Sequence, residues 1–298
     1  MADPIYIVGN NPLAHYLGYQ LQSAGHEVII LLDRTLTSTP PNAIEFSIKD
    51  DRKLSNRHCR LNAELSMHKN AGMVIITSFP NRFNTAIAAL SPLKIKNAPI
   101  ICFTPFKDMS YLLPIISDNL YSAFFDGYII SRKNSISLEG RTPEVSIYPH
   151  GQTEISPEIL ETFGSSAIRI TPSENRLYDF WNYIIPYTIC SIWSAAENNK
   201  ITVLLKDKNN TQFLHSLVDE FCSMAASDGI KPDKSAIMKK IYGTPANYTY
   251  PLHRSILNGG KDDFDFLTSV ITQTAISQEI NIPQTYKLLK KLYNSALS

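Results

Sequence analysis

The sequence has no excess of either charge. It holds 28 lysines and arginines against 27 aspartates and glutamates, a formal net charge of +1, so bulk electrostatics point neither to nucleic acid nor to an anionic membrane. Charged residues are sparse, at 18%, and hydrophobic residues reach 44%; that balance excludes broad disorder and is ample for packed cores. No apolar run approaches membrane-spanning length. Cys59, Cys102, Cys190 and Cys222 show no C-x-x-C spacing; Cys102 lies in an apolar run and Cys190 and Cys222 in helical patterns, so reduced, buried thiols are expected. The seven histidines show no metal-ligand spacing, and structural or surface roles are expected for His15, His150 and His215. There is no repeat, no low-complexity tract, no G-x-S-x-G elbow and no P-loop. Met1-Ala2-Asp3-Pro4 leads at once into a strand pattern and leaves no room for a signal peptide. A soluble cytoplasmic protein without metal, nucleic-acid or membrane partners is expected, with two domains in its 298 residues.

What is present begins at residue 5. Ile5-Tyr6-Ile7-Val8-Gly9 reads as a buried strand running into a glycine, residues 14–24 as a helix, and His26 to Asp33 as a second strand ending in an acid. This is the frame of a dinucleotide-binding βαβ unit. Its turn is Gly9-Asn10-Asn11-Pro12-Leu13-Ala14 where G-x-G-x-x-G is expected. Gly9 keeps the tight turn. Asn11 stands where the second glycine lets a pyrophosphate approach the backbone; asparagine tolerates the left-handed conformation, so the turn itself can persist. Ala14 is a tolerated third position. Pro12 removes one N–H but suits a first helical turn. Two readings stand: a weakened dinucleotide site built from Gly9, Asn10, Asn11, Leu13 and Ala14, or an inherited turn that binds nothing. Asp33 suits a ribose 2′-hydroxyl and Arg34 a 2′-phosphate, so NAD and NADP both remain open.

Further along, 43–48, 73–77 and 99–103 read as strands and 85–90 as a short helix; apolar runs at every position suit a parallel sheet covered on both faces. Asn56 to Asn70 is polar and reads as a loop or short helix. Residues 121–131, 135–138 and 145–148 read as antiparallel strands at the far edge of the sheet, with turn signals at Lys133-Asn134 and Glu139-Gly140, and 167–170 adds one more. After Thr171 the chain turns helical. Pro172-Ser173-Glu174 opens a long helix to about Ala196, too rich in tyrosine, tryptophan, phenylalanine and isoleucine for a surface helix. Helices follow at 211–227, 233–242, 262–278 and 283–296. The expected architecture is α/β plus all-α: a Rossmann-type doubly wound domain over 1–171 and a helical domain over 172–298.

In order and spacing the chain resembles the ketopantoate reductase family. The resemblance is carried by Ile5 to Arg34 with Ala24-Gly25-His26-Glu27-Val28, by Tyr178 to Trp193 for that family's central helix, by Leu257 to Leu267 for its G-x-x-T-E-I-D-F-L segment, and by Ile280 to Tyr286 for the segment before its last helix. It implies an N-terminal Rossmann domain, a helical C-terminal domain of the ketopantoate-reductase and 6-phosphogluconate-dehydrogenase type, and an NAD(P)-dependent reductase acting on a 2-oxo acid and 2-hydroxy acid pair.

The positions that carry that chemistry are altered. The family's lysine at the end of the third strand falls on Phe79, and its Asn-Gly beside the nicotinamide falls on Thr104-Pro105. Its catalytic lysine, four residues before an asparagine, falls on Tyr178 when Asn182 is taken as that asparagine; no lysine occurs between Lys133 and Lys200. Its glutamate falls on Asp263, and its substrate-binding serine on Pro251. Tyr178 can donate a proton and Arg176 can supply charge, but neither reproduces a lysine at that place. Tyr178 also reads as an amphipathic aromatic at an interface, Asn182 as a residue satisfying a neighbouring helix, and the acids around Asp263 as favourable partners of a helix dipole. Three functions are carried forward: a divergent ketopantoate-reductase-like protein that has lost ketopantoate reduction and holds a ligand or partner in the inherited interdomain cleft; an active NAD(P)H-dependent oxidoreductase on another 2-oxo acid, with Tyr178, Asn182 and Asp263 at its centre; and a module that forms a homodimer through its aromatic helical domain.

Overall fold

The computed structural model describes residues 3–32, 41–50, 55–78, 82–103, 105, 107, 109, 119–150, 154–257 and 262–296. The chain divides into two compact units, Met1–Arg176 and Leu177–Ser298.

The first unit runs β1 (Ile5–Val8), α1 (Pro12–Ser23), β2 (Val28–Leu31), β3 (Ala43–Asp50), β4 (Ser55–Glu64), β5 (Met73–Ile76), α2 (Phe83–Ala88), α3 (Pro92–Ile95), β6 (Ile100–Cys102), β7 (Leu120–Arg132), β8 (Ser135–Pro149), α4 (Pro157–Gly164) and β9 (Arg169–Pro172). The strands form one sheet in the order β3-β4-β2-β1-β5-β6-β7-β8-β9. Its centre, β4-β2-β1-β5-β6-β7, is parallel and has the doubly wound order of a Rossmann sheet. Apolar residues at every position of β1, β2, β5 and β6 follow from cover on both faces. Ile5 and Ile7 belong to a core with Leu17, Leu21, Ile159 and Phe163, and Tyr6 and Val8 to one with Phe83, Ala86 and Ile95.

Three sequence expectations change here. The polar stretch from Asn56 is not a loop or helix but β4, paired antiparallel with β3 along its length. Its signal is a period of two: Cys59, Leu61 and Ala63 are buried, while Arg57, His58, Arg60 and Asn62 are exposed. The Glu139-Gly140 signal is not a turn. Asp126 pairs with Glu144 and Tyr128 with Glu139, so four residues of β8 stand opposite the single Gly127 of β7; Gly140, at φ 84°, sits in that bulge. The segment 121–148 is more than a far edge. The distal end of the β7–β8 hairpin turns back, and Ser135–Leu138 pairs in parallel with Ser47–Asp50 of β3. Strands β3 to β8 therefore form a closed circuit of pairings, and α1 packs against β1, β2, β4, β7 and β8. Gly18 makes that packing possible: a Cβ there would lie 2.6 Å from Leu61 Cδ1.

The second unit holds α5 (Arg176–Ala196), α6 (Ile201–Leu204), α7 (Asn210–Ser227), α8 (Lys234–Tyr242), α9 (Pro251–Leu257), α10 (Asp262–Ser277) and α11 (Pro283–Ala296). Pro172 closes β9, and the long helix starts at Arg176 rather than at residue 172. Much of α5 is buried, including Phe180, Trp181, Ile185, Ile189, Ile192 and Trp193. Trp181 Nε1 donates to Asp228 Oδ2 at 2.9 Å. Glu220 on α7 is buried and accepts from the Gln284 and Thr285 N–H groups at 2.7 and 2.8 Å, closing the N-terminus of α11. Cys59, Cys102, Cys190 and Cys222 are buried thiols outside any disulfide. Among the described residues no helix is long and apolar enough to cross a membrane, and no cluster of metal-ligating side chains occurs.

Candidate functional site

Two groups of residues carry the candidate chemistry, one in each unit. In the first, β1 delivers Gly9 to the tip of the sheet at φ 128°. A Cβ at Gly9 would lie 2.6 Å from Thr77 Oγ1 and 3.3 Å from the Ser78 nitrogen, so both backbone angle and space require glycine. Asn11 does not adopt the left-handed conformation that its residue type permits. It is extended, at φ −142° and ψ 169°, and is the N-cap of α1. Its Oδ1 accepts from the Ala14 N–H at 3.0 Å. Its Nδ2 donates to the Thr77 carbonyl at 2.7 Å and lies 3.3 Å from Thr77 Oγ1. The amide thus closes the helix N-terminus and ties it to the end of β5.

The consequence for anion binding is direct. A helix N-terminus attracts phosphate through its unpaired N–H groups. Pro12 has none, Ala14 gives its own to Asn11, and His15 gives its own to the Asn11 carbonyl at 3.1 Å. Leu13 keeps the one first-turn N–H without a partner among the described residues. Asn10 is held separately: His15 Nε2 lies 2.8 Å from its Oδ1. The His15 ring stacks on Phe46 at 4.9 Å, and burial pushes its pKa down to about 4, so the imidazole is neutral near pH 7. Gly9, Asn10, Asn11, Leu13 and Ala14 are brought together; Asp33, Arg34, Phe79 and Thr104 lie outside the described residues.

In the second unit Tyr178 and Asn182 stand one turn apart on α5. Tyr178 is 39% exposed. Asn182 Nδ2 donates to the Tyr178 carbonyl at 3.0 Å, and Asn182 Oδ1 is shielded from solvent without a partner among the described residues. Pro186 lies four residues after Asn182 inside the helix and has no N–H, so the Asn182 carbonyl loses its helical donor. Lys240 Nζ, from α8, sits 3.4 Å from that carbonyl. A file of tyrosines begins beside Asn182. Tyr183 and Tyr187 stack at 5.9 Å, Tyr187 meets Tyr250 edge-on at 5.9 Å, and Tyr250 meets Tyr248 at 4.9 Å. Cys190 behind them is buried, and its thiol is pushed up to about 12. Asp263 falls in the first turn of α10, its side chain outside the described residues, and Pro251 begins α9. Arg176 donates to the Lys107 carbonyl within the first unit.

Sequence reasoning missed Thr77, whose carbonyl and hydroxyl receive Asn11, and Lys240. For Lys240 a signal existed: a proline four residues after Asn182 marks an open carbonyl that some donor must meet.

No family model and no curated protein matches the sequence. Solved structures do. A PanE/ApbA family ketopantoate reductase from Ralstonia eutropha JMP134 superposes with a TM-score of 0.81 at 16% identity, over 98% of each chain. The chain has the ketopantoate reductase fold. A dimeric ketopantoate reductase from Staphylococcus aureus matches at 0.78 and 12% identity over 99% of each chain. D-mandelate dehydrogenase in a complex with NADH and anilino(oxo)acetate matches at 0.81 and 13% identity, again over 98% of each chain. A Rossmann-type unit followed by a helical unit is the architecture these ketopantoate reductases share with this chain.

Proposed function

We propose that this chain is a divergent ketopantoate-reductase-like protein that has lost ketopantoate reduction and retains a small-molecule ligand site. The observation that carries the reading is Asn11: its side chain takes the Ala14 N–H that a nucleotide phosphate would otherwise use. Tyr178 in place of a lysine supports the same reading. The same reading proposes a cytoplasmic location and a weakened nucleotide site.

The test is a calorimetric titration of the full chain with NADPH and NADH. The expected result is no binding below about millimolar, where the binding energy is only about 4 kcal/mol. Asn11→Gly frees the Ala14 N–H and opens the backbone, and is expected to tighten nucleotide binding by about tenfold. Micromolar binding by the native chain sinks the proposal. With hydride transfer to a 2-oxo acid it establishes the alternative, an active NAD(P)H-dependent oxidoreductase in which Asp33, Arg34, Phe79 and Thr104 meet the cofactor and Tyr178, Asn182 and Asp263 the substrate. The preserved angle and close packing of Gly9 favour that alternative. A homodimer through the helical unit is supported by the exposed Ile276, Tyr286 and Tyr293, and sedimentation at equilibrium tests it.

A further inference from the structure

We propose that the exposed face of α11 docks α4 of a second copy of this chain, and that this contact builds the homodimer. The inference rests on the homodimer reading above and names its two surfaces. It begins with charge. Helix α11 carries three lysines and no acid, and α4 carries two glutamates and no base. Lys291 is paired with Glu197 at 2.6 Å. Lys287 and Lys290 are exposed and make no ion pair among the described residues, and the same holds for Glu158 and Glu161. A face of one sign excludes the simplest two-fold contact, α11 against α11, because it sets these lysines against their counterparts in the other copy. The opposite sign stands on α4.

Shape agrees with charge. Tyr286, Lys290 and Tyr293 stand exposed at i, i+4 and i+7, and Leu289 is buried beneath them at i+3. Four positions so spaced form the hole that receives one side chain from a facing helix. Its two ends are aromatic and open, with Tyr286 61% and Tyr293 58% exposed. Helix α4 presents a matching knob. Leu160 is 44% exposed and has exposed glutamates two residues before it and one after it, while Ile159 and Phe163 are buried in the core. Burial of the leucine between two tyrosines supplies the attraction; the lysines and glutamates fix the register and the choice of partner. Each copy carries both surfaces, so two such contacts, α4 on α11 and α11 on α4, close a two-fold dimer.

The experiment is sedimentation equilibrium of the full chain with a charge swap. Lys287→Glu combined with Lys290→Glu is expected to weaken the dimer by at least about tenfold, and Glu158→Lys combined with Glu161→Lys by a similar factor. Mixing the two variants pairs each reversed surface with its complement and is expected to restore dimers to within about threefold of the native affinity. Leu160→Ser is expected to weaken the native dimer by about tenfold without changing its salt dependence. A native dimer that K287E/K290E leaves intact, or folded variants that do not rescue each other on mixing, overturns the proposal. If the α4 double variant does not fold, K287E/K290E and L160S decide alone. A native chain that stays monomeric at about 100 μM, a concentration at which even weak specific dimers form, sinks the homodimer reading itself. A native dimer indifferent to the charge reversal sinks only the surfaces named here.

Discussion

The start of α1 and the middle of α5 both leave backbone polar groups that the helix cannot pair, and the chain answers them in opposite ways. At α1 the answer is local: Asn11 bonds the N–H three residues ahead. At α5 it is distant: the donor for the Asn182 carbonyl is Lys240, 58 residues on. The N-terminus of α11 extends the comparison, since Glu220 reaches it from α7. A local cap leaves a neutral, self-satisfied turn. A distant one brings in a charged side chain from another helix. The likeness of the whole chain to ketopantoate reductase structures thus coexists with a turn in which the Ala14 and His15 N–H groups are engaged from within.

The comparison breaks most sharply at Gly9. Gly9→Ala forces a Cβ against Thr77 at a backbone angle that alanine avoids, and is expected to cost about 3 kcal/mol in urea denaturation; a loss under about 1 kcal/mol would show that the turn yields easily. Glu220→Ala leaves two N–H groups at the start of α11 unpaired and is expected to cost about 2 kcal/mol, with Glu220→Gln costing less because one acceptor survives. Hydrogen exchange at Gln284 and Thr285 should quicken in parallel.

Acid gives the next effect. The neutral forms of His15 and His253 are favoured by burial, so both pKa values are lowered in the folded chain. The unfolded chain then binds more protons, and stability falls as pH drops below about 6.5, the ordinary histidine value. For His15 the loss is complete near its folded value of about 4. His15→Gln should flatten that part of the profile of urea midpoint against pH; an unchanged profile would place the loss elsewhere. The smallest effect is the coupling between Pro186 and Lys240. Pro186→Ala returns an N–H to the Asn182 carbonyl, so K240M should cost less stability in that background, by about 0.5 to 1 kcal/mol in a double-mutant cycle.

How much of this was legible depends on the range of the interaction. The parallel core strands were legible because every position in them is apolar. The strand from Ser55 was not, because its alternation of Cys59, Leu61 and Ala63 is masked by arginine, histidine and asparagine on the open face. Residues 135–149 read as two pieces because the bulge at Gly140 resembles a turn in composition. Helix α4 was not anticipated: eight residues give too few turns for a periodic signal. At the site, the altered fingerprint was legible as a list of residues, but not as a capped helix.

By itself, then, the sequence determined the order of the apolar core strands and the long helices, the glycine at the β1–α1 turn, the absence of lysine from α5 and the open carbonyl that Pro186 creates. These are properties of single residues and their near neighbours, set by backbone geometry and by apolar periodicity. Only the tertiary structure decided that β8 returns to β3 and closes the strand circuit around α1, that Asn11 fastens its turn to Thr77, and that α8 delivers Lys240 to Asn182. Each of these joins groups distant in the chain, and pairing of that kind depends on which elements pack together, which no local pattern encodes.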